Sequence, residues 1–160
     1  MLAGLILSLL LAQADRPTVY VFTTTDCPIS NRYAPEIKRL AEKFEGQAKF
    51  VLVYPVPSDS PELIREHKKK FAYAIESVRD TDLKLVKMTR VSITPEVAVM
   101  KGDQLLYRGR IDDRYVELGK ERPAPTRHDL EDALTAVIAG KPVATKSTQA
   151  VGCILADLVK

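Results

Sequence analysis

The 160-residue chain contains only two cysteines and two histidines, and it has no tryptophan. The cysteines, Cys27 and Cys153, lie near opposite ends of the sequence, so no Cys-x-x-Cys motif is present and Ser30 stands where its second cysteine would be. This excludes thiol exchange within one short motif. His67 has no second ligand at metal-binding spacing, and His128 belongs to a different predicted helix. We therefore predict no metal site and no cofactor.

Basic residues form only one run, Lys68–Lys70, although the net charge is +3. Elsewhere they alternate with acidic residues, as they do between Glu36 and Glu42. A nucleic-acid-binding protein needs a broader basic surface, so we exclude nucleic acid as a partner. Internal repeats and low-complexity segments are also lacking. The length, with 46% hydrophobic and 28% charged residues, is typical of one globular domain.

Long uncharged runs are limited to Leu2–Ala12, which is too short to cross a bilayer comfortably because about 20 residues are needed. Ala12, Gln13 and Ala14 fit a small-x-small cleavage site, so we predict a secretory signal peptide over residues 1–14. No positive charge follows Met1, which leaves an uncleaved anchor or a mis-assigned start codon as alternatives. Export would place the mature protein in a periplasmic or extracellular compartment, where disulfides persist.

The stretch Val19–Pro35, VYVFTTTDCPISNRYAP, begins with the β-branched and aromatic residues of a strand. Pro28 suits the first turn of a helix, so Cys27 is predicted to lie where the strand ends and the helix begins. A helix amino terminus has free backbone N–H groups and the positive end of the dipole, and both favour a thiolate. Because the thiolate is the nucleophilic form of cysteine, we predict that Cys27 is the reactive residue.

Hydrophobic periodicity predicts the order β-α-β-α-(β)-α-β-β-α. The first two strands are joined by a helix, which predicts a parallel βαβ unit with a right-handed crossover. The whole order predicts an α/β fold with a central mixed sheet, a terminal hairpin and helices on both faces. The predicted elements are a strand over Pro17–Thr24, a helix over Ser30–Glu45 kinked at Pro35, a strand over Ala48–Pro55, a helix capped by Ser60, a short strand over Ile75–Val78, a helix over Asp80–Met88, hairpin arms over Val97–Met100 and Gln104–Arg110, a surface loop over Ile111–Pro125, a helix capped by Thr126, and a polar tail after Lys141.

This arrangement, with a cysteine after the first strand and a proline before the hairpin, resembles the thioredoxin fold. More specifically, it resembles the bacterial redoxin-domain proteins, which are related to the alkyl hydroperoxide reductase and thiol-specific antioxidant proteins. The resemblance covers Pro17 to Cys153 and implies a domain over residues 15–141, followed by a tail over residues 142–160. The motifs that carry it are DCPISNRYAPE at Asp26–Glu36, ITPE at Ile93–Glu96, YRGRIDDRY at Tyr107–Tyr115 and VGC at Val151–Cys153.

The resemblance implies that Cys27 is the nucleophile and that Pro95 is a cis-proline facing it. A cis Thr94–Pro95 bond, accessible at modest cost, would let the backbone of Thr94 pair with an extended substrate. Asp26 and Pro28, which flank the nucleophile, would complete the substrate-binding set.

Thr24 matches the threonine of the peroxiredoxin motif Pro-x-x-x-Thr-x-x-Cys, and we expect its hydroxyl to orient the substrate. Tyr20 stands at the proline position of that motif, however, and peroxiredoxins do not share the cis-proline. Thiol–disulfide exchange is therefore favoured, and peroxidase activity stays open.

Cys153 is the only other thiol that could resolve an intermediate on Cys27. It lies in an apolar island, Val151–Leu155, which would gain by docking on the domain, and Gly152 lets the backbone turn there. We predict that Cys153 is the resolving cysteine. The alternatives are an unpaired thiol in a mobile tail and a disulfide between two chains.

These features predict an exported thiol–disulfide oxidoreductase or thiol-dependent antioxidant protein that acts on a protein disulfide or a peroxide and receives electrons from an external thiol. The alternative is a non-enzymatic thioredoxin-fold binding or metal-chaperone module. The oligomeric state is not predicted.

Three arginines, Arg32, Arg108 and Arg110, are candidates to stabilise the thiolate. The Asp112–Asp113 pair indicates either a weak metal site or an ion-pair network that fixes the loop.

Overall fold

The structure, a computed structural model, describes residues 16–158. The predicted signal peptide, residues 1–14, lies outside the described residues. Between residues 16 and 158, no helix is long and apolar enough to span a membrane.

The central feature is a five-stranded mixed sheet with the order β3-β2-β1-β5-β6. Strands β1, β2 and β3 are parallel, and β5 and β6 form the antiparallel hairpin. This confirms the predicted mixed sheet and terminal hairpin. In the part of the chain that is described, the strands are β1 Thr18–Phe22, β2 Lys49–Tyr54, β3 Glu76–Arg79, β4 Ile93–Thr94, β5 Glu96–Lys101, β6 Gln104–Gly109, β7 Tyr115–Glu117, β8 Lys120–Glu121 and β9 Cys153–Ile154.

Helices cover both faces of the sheet. Side chains alternate between the two faces along each strand, so the strands supply apolar residues to both. One face packs Val19 and Val21 against Ile37 and Leu134. The other face packs Phe22 and neighbouring residues against Leu155. Over the same residues, the helices are α1 Pro28–Arg32, α2 Ala34–Lys43, α3 Pro61–Lys70, α4 Lys84–Thr89, α5 Asp129–Ile138 and α6 Leu155–Leu158.

The single kinked helix predicted over Ser30–Glu45 is wrong, because α1 and α2 are separate helices. Pro35 occupies one of the first two positions of α2, and Tyr33 ends α1 and begins α2. The missing N–H and the ring of Pro35 remove one helical hydrogen bond and crowd the preceding turn. Here they end the first helix instead of kinking it. The break turns Tyr33 inward, where its hydroxyl donates to Asp112 Oδ1 at 2.6 Å.

The surface loop predicted over Ile111–Pro125 is also wrong in part. It contains the β7–β8 hairpin, and Ile111, Asp112, Asp113 and Tyr115 are buried. Sequence analysis missed this because isolated apolar residues among charges show no strand periodicity. Hydrogen bonds from backbone amides and from the Tyr33 and Thr126 hydroxyls hold the two buried aspartates in place.

The final helix begins later than predicted. Thr126 does not cap it, because its amide and hydroxyl both donate to Asp113 at 2.6 Å. His128 is the N-cap residue and makes no side-chain capping bond. Acidic residues in the first turn, Asp129 among them, stabilise the amino terminus of α5 through the helix dipole instead.

The segment after Lys141 returns to the sheet. Arg108 donates its amide to Lys146 O at 3.0 Å, and Thr148 donates its amide to Arg108 O at 3.1 Å. Gly109 makes this approach possible, because a Cβ there would lie 2.2 Å from Thr148 Oγ1. The chain then crosses to β4, where β9 pairs with it. The docking predicted for Val151–Leu155 is therefore present.

Candidate functional site

Cys27 lies where β1 leads into α1 and is the N-cap residue of that helix, as predicted. Its Sγ accepts a hydrogen bond from the Ser30 amide at 3.5 Å, and its own amide donates to Thr24 O at 3.5 Å. Pro28 is the first residue of the helix, where its missing N–H costs nothing. The side chain of Cys27 is only 1% exposed, so access to it depends on what covers it.

The loop before β5 faces Cys27 across the site. The Thr94–Pro95 peptide bond is cis, as predicted. The Cys27 thiol donates to Thr94 O at 3.3 Å. Glu96 fixes this loop, because its Oε2 accepts from the Ser92 amide at 2.9 Å and from the Ile93 amide at 3.1 Å.

Cys153 completes the site from the far end of the chain. In the antiparallel β4–β9 pair, Thr94 lies opposite Cys153 and Ile93 lies opposite Ile154. Cys153 Sγ lies 3.2 Å from Cys27 Sγ, and both are free thiols. Cys153 is the more exposed of the two. Two thiols at this distance need only a small movement to reach the disulfide bond length of about 2.05 Å.

Gly152 sets how closely the carboxy-terminal segment approaches β4. A Cβ at this position would lie 2.0 Å from Thr94 O and 2.7 Å from Thr94 C. Both atoms belong to the backbone and cannot rotate away, so any side chain here would push β9 off the edge of β4. The contact therefore requires glycine at this position, whereas the turn expected from the sequence does not, because Gly152 has no positive φ.

The two thiols have opposite pKa shifts. Burial raises the pKa of the Cys27 thiol, but the hydroxyl and amide of Ser30, together with Cys153 and the Ile29 amide, outweigh it, so the pKa is lowered. For Cys153, burial and the neighbouring Cys27 raise the pKa to about 11. Within residues 16–158, the buried Ser30 hydroxyl has no hydrogen-bond partner, so its proton is available to a Cys27 thiolate.

A buried polar network holds α1 in place. His67 Nε2 lies 2.7 Å from Asn31 Oδ1, and His67 Nδ1 lies 2.8 Å from the Tyr54 hydroxyl. Asn31 Nδ2 donates to Thr25 O at 3.2 Å. The amide oxygen of Asn31 must therefore accept from Nε2–H, and Nδ1 accepts from Tyr54. His67 is therefore a buried residue that makes two ordinary hydrogen bonds.

Asp59 supports the turn before Cys27, and sequence analysis did not identify it. Its Oδ1 accepts from the Thr25 amide at 3.2 Å and from the Thr25 hydroxyl at 2.5 Å. Its Oδ2 is buried without a partner among the described residues. An aspartate in a proline-bearing loop gives no sequence signal that it will contact a turn more than thirty residues away.

The other predicted substrate-binding residues lie around the cysteine pair. Asp26 and Pro28 are exposed on either side of Cys27, whereas Thr24, Thr94 and Pro95 are buried.

The three candidate arginines are engaged elsewhere and do not contribute to the pKa shift of Cys27. Arg32 pairs with Glu121 at 2.7 Å and Arg110 with Asp129 at 2.7 Å. Arg108 donates to Arg90 O at 2.7 Å and to Ser147 Oγ at 3.3 Å, so it joins the loop before β4 to the carboxy-terminal segment.

Asp112 and Asp113 act as structural acceptors. Besides Tyr33, Asp112 Oδ1 accepts from the Arg114 amide at 2.9 Å. Asp113 accepts from Thr126 and pairs with Arg122 at 3.3 Å, and these contacts outweigh burial and lower its pKa. The predicted ion-pair network is therefore present only in part: Asp113 pairs with Arg122, whereas Asp112 helps to fix the loop through hydrogen bonds.

One group of possible metal ligands occurs in the described chain: Glu36, His128 and Glu131. Arg39 donates to both carboxylates, and Lys43 also contacts Glu131. These cations already neutralise the carboxylates, and the group lies outside the set of residues around the cysteine pair.

No protein-family model and no curated protein sequence matches the chain. Among solved structures, it is similar to an uncharacterised conserved protein from Geobacillus kaustophilus, with a TM-score of 0.76 and 26% identity over 88% of this chain and 76% of that one. A hypothetical protein from Sinorhizobium meliloti 1021 gives a TM-score of 0.75 and 22% identity over 91% and 82% of the two chains.

The chain is also similar to a secreted Mycobacterium tuberculosis disulfide oxidoreductase homologous to E. coli DsbE. The TM-score is 0.51, with 18% identity over 79% of this chain and 82% of that one. At 18% identity, this similarity is evidence for the fold alone. Together with the strand order and the cis-proline opposite Cys27, it shows that the chain has the thioredoxin-like fold.

Proposed function

We propose that this protein is an exported, redoxin-type thiol–disulfide oxidoreductase in which Cys27 is the nucleophile and Cys153 is the resolving thiol. The observation that carries the proposal is the 3.2 Å separation of the two sulfurs. Cys27 lies at a helix amino terminus, where hydrogen bonds from the Ser30 hydroxyl and amide outweigh burial and lower its pKa. The secreted oxidoreductase described above supports export only by its likeness in fold.

The proposed reaction has two exchange steps. The Cys27 thiolate attacks one sulfur of a substrate disulfide, forms a mixed disulfide and releases a substrate thiolate. The Cys153 thiolate then attacks Cys27 Sγ, which forms the Cys27–Cys153 disulfide and releases the second substrate thiolate. An external thiol donor returns both cysteines to the reduced form.

The pKa shifts suit this order of events. Cys153 is held protonated by burial and by its neighbour Cys27. Once Cys27 is bound in a mixed disulfide it carries no charge, so one cause of the raised pKa of Cys153 disappears. Cys153 therefore becomes easier to ionise at the step in which it must attack.

A hydroperoxide could replace the disulfide in the first step. Cys27 would then attack a peroxide oxygen to give a sulfenic acid, and Cys153 would condense with it and release water. Thr24 would orient the peroxide. Tyr20, at the proline position of the peroxiredoxin motif, makes this the weaker form of the proposal.

A turnover assay with insulin disulfide and hydrogen peroxide side by side tests the proposal. We expect insulin reduction by the wild type and a loss of at least about 100-fold in Cys27→Ser. Cys153→Ser should complete the first step and accumulate a mixed disulfide on Cys27. Full turnover in Cys27→Ser would remove the catalytic assignment.

A second candidate is a module that binds a soft metal ion, because two adjacent thiols suit Cu(I). The observation that favours it is again the sulfur separation of 3.2 Å. Metal titration of the reduced protein separates the two functions. Stoichiometric Cu(I) binding with no insulin turnover would favour the metal-binding module.

A further inference from the structure

The edge of β4 carries backbone groups that can pair with an extended chain, and β9 occupies it. Pairing along a free strand edge is a common mode of peptide recognition, in which the backbone supplies affinity and the side chains supply specificity. In this protein the occupant is a cysteine-bearing segment of the same chain, and its cysteine points at Cys27. The contacts of Gly152–Leu155 therefore show what this edge accepts.

The position before the cysteine accepts only glycine. A Cβ on Gly152 would lie 2.0 Å from Thr94 O and 3.0 Å from Ile93 Cγ2. Thr94 O also accepts from the Cys27 thiol, so this carbonyl cannot move without disturbing the nucleophile. Another chain that places its cysteine at the same register meets the same restriction.

The two positions after the cysteine differ from each other. Ile154 is 54% exposed, so this position tolerates many side chains. Leu155 is 4% exposed and packs in an apolar cluster with Phe22, Val53 and Val91. Its amide donates to Ser92 O at 2.9 Å. This position therefore selects an aliphatic side chain.

We propose, on the basis of the proposed function, that the edge of β4 is a docking site for an extended polypeptide with the pattern Gly-Cys-x-aliphatic. The chain's own segment, Gly152–Leu155, is the resident occupant and must leave before a polypeptide disulfide reaches Cys27. Because the segment is tethered, its effective concentration at the site is high. The closed protein therefore reacts more slowly with polypeptides than a protein whose segment is displaced.

Synthetic peptides test this specificity. Each peptide carries its cysteine as a mixed disulfide with thionitrobenzoate, so attack by the Cys27 thiolate forms a peptide–Cys27 disulfide and releases coloured thionitrobenzoate. The parent peptide is Val-Gly-Cys-Ile-Leu. One variant peptide has alanine in place of glycine, and another has aspartate in place of leucine.

The protein used is the full chain with Cys153→Ser, so that Cys27 is the sole thiol. Adding Gly152→Val displaces the resident segment, and Leu155→Asp displaces it independently. We expect the parent peptide to react at least about 10-fold faster with either displaced protein than with Cys153→Ser alone. In the displaced proteins it should also react at least about 10-fold faster than both variant peptides, a difference of roughly 1.4 kcal/mol.

Equal rates for the three peptides in both displaced proteins would overturn the docking site. The small disulfide 5,5′-dithiobis(2-nitrobenzoate) keeps this result separate from failure of the proposed function. If the small disulfide reacts with Cys27 while the peptides are not distinguished, only the docking specificity fails. If the small disulfide does not react with Cys27, the nucleophile assignment fails, and the docking site fails with it.

Discussion

The two cysteines that meet in this structure are held in very different ways. Cys27 begins a helix that is fixed through Asn31 by His67 and Tyr54. Cys153 lies on a strand of two residues, and the helix after it has four. Local stability varies in this way within many proteins, and elements with few buried contacts open first. The difference indicates a fixed nucleophile and a detachable partner thiol.

The largest effect should come from Gly152→Val, which breaks the close approach of β9 to β4. Because the new side chain clashes with the Thr94 backbone, Cys153 should move away from Cys27. We expect intramolecular disulfide formation to slow by at least about 100-fold, which corresponds to a rise of roughly 2.7 kcal/mol in the activation barrier. The rate is measured by quenching the oxidation at timed intervals and alkylating the thiols that remain free. Ile154→Val, on the same strand but exposed, serves as the control and should keep the wild-type rate.

The carboxy-terminal segment is attached to the domain at two places, by contacts near Thr148 and by the β4–β9 pair. Thr148→Val should weaken the first attachment and leave the second intact. Thr148 Oγ1 bonds the Tyr107 hydroxyl at 2.7 Å and the Arg110 amide at 3.0 Å. Losing these bonds should lower the free energy of unfolding in urea by about 1–3 kcal/mol. The disulfide should still form, because the β4–β9 pair is untouched. Exposed Thr145→Val is the matched control, and equal stability of the two variants would contradict the account.

His67 should make the support of α1 sensitive to pH. Burial lowers the pKa of His67, so the folded state prefers the neutral ring. Its contribution to stability is present above the unfolded pKa of about 6.5 and is lost as the pH falls through the lowered folded value. Urea denaturation between pH 7.5 and 5 should show this loss in the wild type. His67→Gln should show a smaller decline, and an unchanged decline would contradict the assignment.

Ser30→Ala should have the smallest effect and act only on Cys27. Removing the hydroxyl takes away a donor that stabilises the thiolate, so the pKa of Cys27 should rise and its reactivity should fall near neutral pH. Iodoacetamide rates measured against pH on a Cys153→Ser background give the midpoint. The wild-type serine should give a value below about 8.5, the ordinary cysteine pKa. Exposed Ser147→Ala, the control, should not move it.

The sheet and the Cys27 corner could be predicted from sequence because their signals are local. Apolar runs predict β1 and β2, and Ser60 with Pro61 predicts the start of α3; Ser60 Oγ does accept from the Leu63 amide at 3.2 Å. The cis conformation of the Thr94–Pro95 bond could be predicted only from the resemblance to known proteins. These features depend on residues that are neighbours in the chain.

The remainder depends on residues far apart in sequence. Nothing near Asp113 indicates that it would bind Thr126, and nothing near Gly109 indicates that Thr148 would pack against it. The polar composition after Lys141 predicted a tail, whereas backbone hydrogen bonds hold that segment against β6. Periodicity cannot detect such pairings, because a single backbone contact leaves no repeating pattern.

Peptide mapping of the oxidised full chain, digested without reductant, tests the central claim most directly. The account predicts a peptide pair joined by a disulfide between Cys27 and Cys153 of the same chain, in a protein that remains monomeric by mass under denaturing conditions. Finding Cys153 free while Cys27 carries a sulfinic acid or an external thiol would contradict it.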